Sequence, residues 1–202
     1  MTIEVFAPAK VNLTLHVTGQ REDGYHTLDS LVVFVDVGDQ LRLNEAAQMS
    51  LNVVGPYAKG VPTDSSNLVW RASAFCGLTA QISLEKHLPN AAGIGGGSAD
   101  AAAVLRAAIE LGYSPQGDIA SLGADVPVCM SSAPQRMQGI GDKLTSVDNL
   151  PNLWLVLVNP MHHVSTPSVF AALKTKSNAP MPAALPFCET IDDFCSWLGD
   201  QR

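Results

Sequence analysis

Apolar and polar positions alternate along much of the first half of the chain. Residues 3–19, IEVFAPAKVNLTLHVTG, alternate loosely and are rich in β-branched side chains. That pattern predicts two strands broken at Pro8, since proline cannot donate to a ladder. Residues 19–30, GQREDGYHTLDS, are polar and turn-rich. LVVFVDVGDQLRLNEA (31–46) and MSLNVVG (49–55) predict further strands, with Gly38 and Asp39 as a turn. VPTDSSNLVWRASAFC (61–76) predicts a loop, a cap at Ser66 or Asn67, and a helix. AQISLEKHLP (80–89) alternates as a strand, SLGADVPVCM (121–130) as a tight turn into a short strand, and LWLVLVNP (153–160) as a buried apolar strand. TPSVFAALK (166–174) starts a helix with Pro167 in its first turn, and IDDFCSWLGD (191–200) is an amphipathic helix. KTKSNAPMPAALP (174–186) is the most linker-like stretch. Strands dominate first and helices mix in later, which predicts an α+β fold rather than a doubly wound sheet. There is no internal repeat.

Composition narrows the class. A chain of 202 residues, 47% hydrophobic and 15% charged, has the makings of a packed core. Its net charge of −7 argues against a general nucleic-acid binder or a membrane-surface protein. A small anionic ligand in a local site remains compatible with it. The start of the chain has no signal-peptide pattern, and no apolar run is of membrane-spanning length. Cys76, Cys129, Cys188 and Cys195 form no CxxC pair and are expected to be free thiols in a reducing cytoplasm. His162 and His163 are adjacent, so on a strand they would face opposite ways, and they are read as polar loop residues.

The stretch LPNAAGIGGGSADAAAVLRA (88–107) places Gly93, Gly95, Gly96 and Gly97 directly before an alanine-rich run. A glycine cluster costs backbone entropy. It serves either as a turn that caps a helix or as a place where bare backbone approaches an anion. A helix starting near Ser98 and running to about Leu111 would offer unpaired N–H groups and a positive dipole end, with Ser98 as its cap. Together these make a phosphate cradle. A Walker A loop would need lysine where Gly97 stands, and a dinucleotide fingerprint would need glycine where Ser98 stands.

The same stretch resembles the second motif of the GHMP small-molecule kinases, which bind ATP phosphates on such a loop. APAKVNLTLHVTGQREDGYH (7–26), SLEKHLPNAAGIGGGSADAAA (83–103), LGADVPVCM (122–130) and GIGDKL (139–144) together are similar to the 4-diphosphocytidyl-2-C-methyl-D-erythritol kinases of that superfamily. The resemblance implies a two-lobed α+β fold with the active site between an N-terminal ATP-binding lobe, residues 1–147, and an incomplete C-terminal lobe, residues 148–202. It implies transfer of the ATP γ-phosphate to the C2 hydroxyl of a cytidine diphosphate-linked methylerythritol, in the non-mevalonate route to isoprenoid precursors, in the cytoplasm. ATP and Mg2+ are the implied cofactors, and the partner is a small molecule, with no nucleic acid and no membrane.

Residue roles follow from the same motifs. Asp125 is the implied catalytic base; read alone, it is a turn residue before Pro127. Lys10 is the implied catalytic cation, the alternative being a surface charge, and Asn12, on the same strand face, is implied to contact substrate. Tyr25 and His26 would take the cytosine, one by stacking and the other by hydrogen bonding. Phe170 is either a second aromatic beside the base or a core residue of its helix. Lys86 joins Gly93, Gly95, Gly96, Gly97 and Ser98 as an implied ATP contact, and Asp100 is read as capping the first turn or facing solvent. The family's third glycine-rich motif, S/T-G-S/T-G-A, is not in this sequence, and RASAFCGLTA (71–80) and GDIASLGA (117–124) read as abrupt joins. Omitted segments are the expectation, a truncated protein the alternative. Another GHMP kinase and a nucleotide-binding remnant are the competing functions.

Overall fold

The computed structural model describes residues 2–159, 164–186 and 188–201. His162 and His163 lie outside the described residues. In chain order the strands are β1 (Thr2–Asn12), β2 (His16–Gln20), β3 (His26–Glu45), β4 (Ser50–Val54), β5 (Ala80–Glu85), β6 (Gln135–Gly139) and β7 (Lys143–Ser146). The helices are α1 (Leu68–Phe75), α2 (Gly96–Glu110), α3 (Val126–Cys129), α4 (Thr166–Ala171) and α5 (Ile191–Asp200). The mixture is α+β, as the order of patterns predicts. Among the described residues no helix is long and apolar enough to cross a membrane.

Two compact units divide the chain. The first takes the chain up to Lys10 and Phe34–Ser132; the second takes Val11–Val33 and everything from Ala133 onward. The boundary expected after residue 147 therefore falls inside the second unit.

In the first unit the end of β3 pairs antiparallel with β5, from Gln40 opposite Glu85 to Glu45 opposite Ala80. Strand β4 pairs parallel with β5, Leu51 opposite Ile82. Alternation decides which side chains go inward: Leu41, Leu43, Ile82 and Leu84 are buried. Helix α2 packs on α1 and α3. Its alanines at 99, 101, 102, 103, 107 and 108 are all buried, and their small side chains permit close approach. Asn67 caps α1 through its side-chain oxygen, which accepts from the Val69 amide.

In the second unit β3 pairs antiparallel with β2 and with β6, and β6 with β7. Its core gathers Leu31, Met181 and Phe194, with Leu13, Leu153 and Trp197 packed against them. Helix α5 starts with a reciprocal capping box between Thr190 and Asp193. Phe194 and Trp197 stack, centroids 5.6 Å apart.

Several expectations are corrected. Pro8 does not break β1; the strand continues to Asn12. β1 pairs with β3 alone among the described strands, and proline is tolerated on a strand with a single ladder neighbour. Gly38 and Asp39 are not a turn but lie inside the 20-residue β3. A Cβ at Gly38 would sit 2.3 Å from the Ala7 carbonyl oxygen, so glycine is there for the close approach of β1. Residues 121–130 form no strand; Val126–Cys129 is a short helix with Pro127 in its first turn, where proline costs no hydrogen bond. Residues 153–159 form neither a strand nor a buried element: Trp154 is 95% exposed and Val156 89%. Hydrophobicity alone does not make a strand, which needs a paired neighbour to persist.

The linker-like stretch is tied down. Arg136 donates from Nε to Asp29 Oδ1 at 2.8 Å and from Nη2 to Asp29 Oδ2 at 2.6 Å. It also donates to the carbonyls of Met181, Pro182 and Ala183, and the Met181 amide donates to Asp29. Removing one member of such a buried pair leaves the other unpaired, at about 3–5 kcal/mol. Arg136→Met is therefore expected to lower stability toward urea by that order, followed by tryptophan fluorescence, and to speed tryptic cleavage at Lys174 and Lys176. A loss under about 1 kcal/mol with unchanged cleavage would show that the pair does not hold this segment.

Candidate active site

Gly95 is the pivot of the glycine stretch. It holds a left-handed backbone, φ 67° and ψ 15°, at the N-cap of α2. A Cβ there would press to 3.1 Å from Lys10 Cβ, so a side chain is disfavoured by backbone and by space. Ser98 is thus not the cap, as the sequence suggested, but the third residue of the helix. The first intrahelical bond runs from the Ala99 amide to the Gly95 carbonyl, 2.8 Å. The amides of Gly96, Gly97 and Ser98 have no helical acceptor, and with the dipole they make an anion cradle. Gly93 also takes positive φ, 74°.

Strand β1 delivers Lys10 to this loop. The Lys10 amide donates to the Ile94 carbonyl at 2.9 Å, which fixes the loop to the strand backbone. Its ammonium reaches Asp125 Oδ2 at 2.8 Å; the lysine side chain is 5% exposed, the aspartate 39%. A buried lysine is therefore paired, not a solvated surface charge. Asp125 occupies the N-cap position of α3 without capping it, so its carboxylate is turned to the lysine. The turn at Gly123 lies beside α2: a Cβ there would be 4.0 Å from Ser98 Oγ, ordinary contact distance. The glycine loop, Ser98, Lys10 and Asp125 are thus brought together in one unit. A half-exposed carboxylate beside a buried ammonium and an array of open amides can accept a proton while the other groups hold anionic oxygen.

Lys86, expected to contact phosphate, lies buried beside the glycine loop. It is 4% exposed and held between Asp39 and Asp100, at 2.8 Å from Asp100 Oδ2. Burial alone would lower its ammonium, but the two carboxylates outweigh that and hold it above its ordinary value. Asp39 Oδ1 also accepts the amides of His87 at 2.6 Å and Leu88 at 2.8 Å, at the entry to the loop. Asp100 neither caps nor faces solvent; it is 2% exposed. Sequence reasoning missed Asp39 and Asp100, though a carboxylate inside an alanine run was a legible signal.

It also missed Arg106, which lies in the same run. Its guanidinium donates to the Cys129 carbonyl at 2.8 Å and the Phe6 carbonyl at 2.7 Å, tying α2 to α3 and β1. The neighbouring Cys129 thiol is pushed up to about 12, chiefly by burial, and stays protonated.

The second unit holds the other expected residues. Asn12 donates to Ser30 Oγ at 2.6 Å, and Ser30 donates to the Thr14 carbonyl at 2.5 Å. The ring of His26 stacks on Phe170, centroids 4.9 Å apart and planes at 22°. Phe170 is thus not simply a helix core residue. His26 Nε2 is buried with no hydrogen-bond partner among the described residues. Tyr25 is 61% exposed and closes a turn through its carbonyl, which accepts from the Arg21 amide. It does not stack on His26; the ring partner there is Phe170.

Comparison with known proteins shows the family. Residues 67–147 match the GHMP kinases N terminal domain. A protein of Ruegeria pomeroyi, named 4-diphosphocytidyl-2-C-methyl-D-erythritol kinase, is 55% identical over 207 residues, covering 100% of this chain and 74% of its own length. One of the same name from Dinoroseobacter shibae is 57% identical, covering 98% of this chain and 69% of its own. A crystal structure of a 4-(cytidine 5'-diphospho)-2C-methyl-D-erythritol kinase superposes with a TM-score of 0.67 at 33% identity, over 89% of this chain and 68% of that one. By sequence and by fold, the chain belongs to the 4-diphosphocytidyl-2-C-methyl-D-erythritol kinase family of GHMP kinases.

Proposed function

We propose that the chain transfers the γ-phosphoryl group of ATP to the C2 hydroxyl of 4-diphosphocytidyl-2-C-methyl-D-erythritol. The observation that carries this reading is the 2.8 Å pair of Lys10 and Asp125 on a strand whose backbone is bonded to the glycine loop. The open amides of Gly96, Gly97 and Ser98 bind phosphate oxygens. Asp125 accepts the hydroxyl proton as the C2 oxygen bonds to the γ-phosphorus and the bond to the β-phosphate oxygen breaks. Lys10 holds the carboxylate in place and offsets charge that develops on the transferring group. His26 offers its unpartnered Nε2 to the cytosine edge, with Phe170 behind its ring, and Asn12 positions the alcohol. Tyr25, exposed at the turn, covers the base.

Magnesium fits as an ion carried by the nucleotide. Among the described residues no group of three histidine, cysteine or carboxylate side chains could hold a metal. Magnesium keeps water and phosphate oxygens as its main ligands, so one protein oxygen suffices, and the loop offers the Ser98 hydroxyl. Bound there, it would neutralise phosphate charge.

ADP release should depend on 4-diphosphocytidyl-2-C-methyl-D-erythritol and be absent with mevalonate or homoserine. Release with either of those, or none with the cytidyl alcohol, would refute the substrate. Asp125→Asn is expected to lower kcat about 100- to 10,000-fold with little change in the KM for ATP; Lys10→Met should lower kcat about 100- to 1,000-fold. A change confined to KM would remove both from the chemistry. His26→Ala is expected to raise the KM for the cytidyl alcohol about tenfold and leave that for ATP unchanged; equal effects on both would rule out base recognition.

A further inference from the structure

Two polar residues, Asp29 and Ser30, stand in the buried part of β3. A polar group is costly to bury unless it is hydrogen-bonded. Asp29 is accounted for by Arg136. Ser30 is accounted for by two bonds in series. Its hydroxyl donates to the Thr14 carbonyl at 2.5 Å and accepts from Asn12 Nδ2 at 2.6 Å.

The direction of that series is forced. A carbonyl can only accept, so the one hydroxyl proton of Ser30 goes to Thr14. Ser30 Oγ then meets Asn12 as an acceptor, and the NH2 end of the amide must turn to it. Rotating the amide by half a turn would set Oδ1 against the Ser30 oxygen with no proton between them. In the arrangement seen, Oδ1 accepts from no described residue.

The far end of the series is anchored. The Thr14 hydroxyl accepts the Leu31 amide at 2.9 Å and donates to the Met181 sulfur, and the Leu13 amide donates to the Leu31 carbonyl at 2.8 Å. Ser30 lies opposite Met137 of β6 in the ladder. All of these residues belong to the second unit.

We propose that Ser30 is a positioning residue of the alcohol site, which turns the Asn12 amide so that an acceptor, and not a donor, faces the substrate. The proposal rests on the reading that Asn12 positions the alcohol. A hydroxyl can donate to Oδ1, whereas a phosphate oxygen has no proton to give and is turned away. An amide free to rotate would also offer its NH2 end, which holds anionic oxygen as readily as a hydroxyl. Ser30 therefore makes this position choose the polyol end of the substrate over its diphosphate. It does so without touching the substrate, being fully buried.

The test is steady-state ADP release, with magnesium-ATP and 4-diphosphocytidyl-2-C-methyl-D-erythritol varied in turn, by wild type, Ser30→Ala, Asn12→Ala and the double substitution. Ser30→Ala is expected to lower kcat/KM for the cytidyl alcohol about 3- to 10-fold and to leave the KM for ATP unchanged. Asn12→Ala should lower kcat/KM at least as far. Because Ser30 acts through Asn12, the double substitution should fall no further than Asn12→Ala alone. A serine that only braces the Thr14 turn would act with or without Asn12, and the two losses would multiply. Multiplying losses, or a loss in Asn12→Ala with none in Ser30→Ala, overturn the proposal alone. No loss in Asn12→Ala overturns the reading of Asn12 and the proposal with it. If Ser30→Ala does not fold, wild type decides by NMR. One side-chain amide proton of Asn12, assigned by its loss from Asn12→Ala, should exchange with solvent at least about tenfold more slowly than those of an exposed asparagine. Equal rates overturn the proposal.

Discussion

A glycine loop is useful to a kinase only if something other than its own side chains fixes its shape. Here that task falls to Lys86, a single ammonium sealed between Asp39 and Asp100. Asp39 draws the backbone of His87 and Leu88 against β3, and Asp100 draws in the start of α2. The loop between these two anchors can carry bare glycines because neither of its ends is free. A sealed ion pair adds little net stability compared with apolar packing, but it imposes a geometry that apolar contacts would not. In a phosphate site that trade is favourable, because catalysis depends on placement to a fraction of an ångström.

The same logic extends to Lys10 and Asp125. Two backbone contacts set their separation: the Lys10 amide on Ile94, and the Arg106 guanidinium on the carbonyls of Phe6 and Cys129. The arginine spans the strand that carries the lysine and the short helix that follows the aspartate. Neither contact involves a side chain of Lys10 or Asp125, so the pair's spacing is fixed by the scaffold.

Local patterns were legible wherever the cause of structure was local. Alternation gave β5, the polar pair Ser66 and Asn67 gave the start of α1, with Asn67 the cap in the structure, and the apolar spacing after Thr190 gave α5. The glycine stretch marked the entry to α2, and the motifs around Lys10, Gly95 and Asp125 named residues that the fold gathers in one unit. What escaped was decided at long range. Gly38 resembled a turn because the carbonyl that requires a glycine there belongs to Ala7, 31 residues earlier. The carboxylates around Lys86 were not legible because they are 47 and 14 residues away from it. Residues 153–159 resembled a core strand because hydrophobicity records a preference for burial without saying whether a neighbour is at hand.

The tie between Asp29, Arg136 and Met181 bears on how the chain is made. Its members are separated by 107 and 152 residues. As the polypeptide leaves the ribosome, Val11–Val33 must wait for Phe34–Ser132 of the first unit to pass before its buried aspartate finds a cation. The first unit has its own delay, since Lys10 meets Asp125 only after the intervening strands and helices have been synthesised. These two stretches are therefore made well before they can settle, and in the interval they are open to chaperones and proteases.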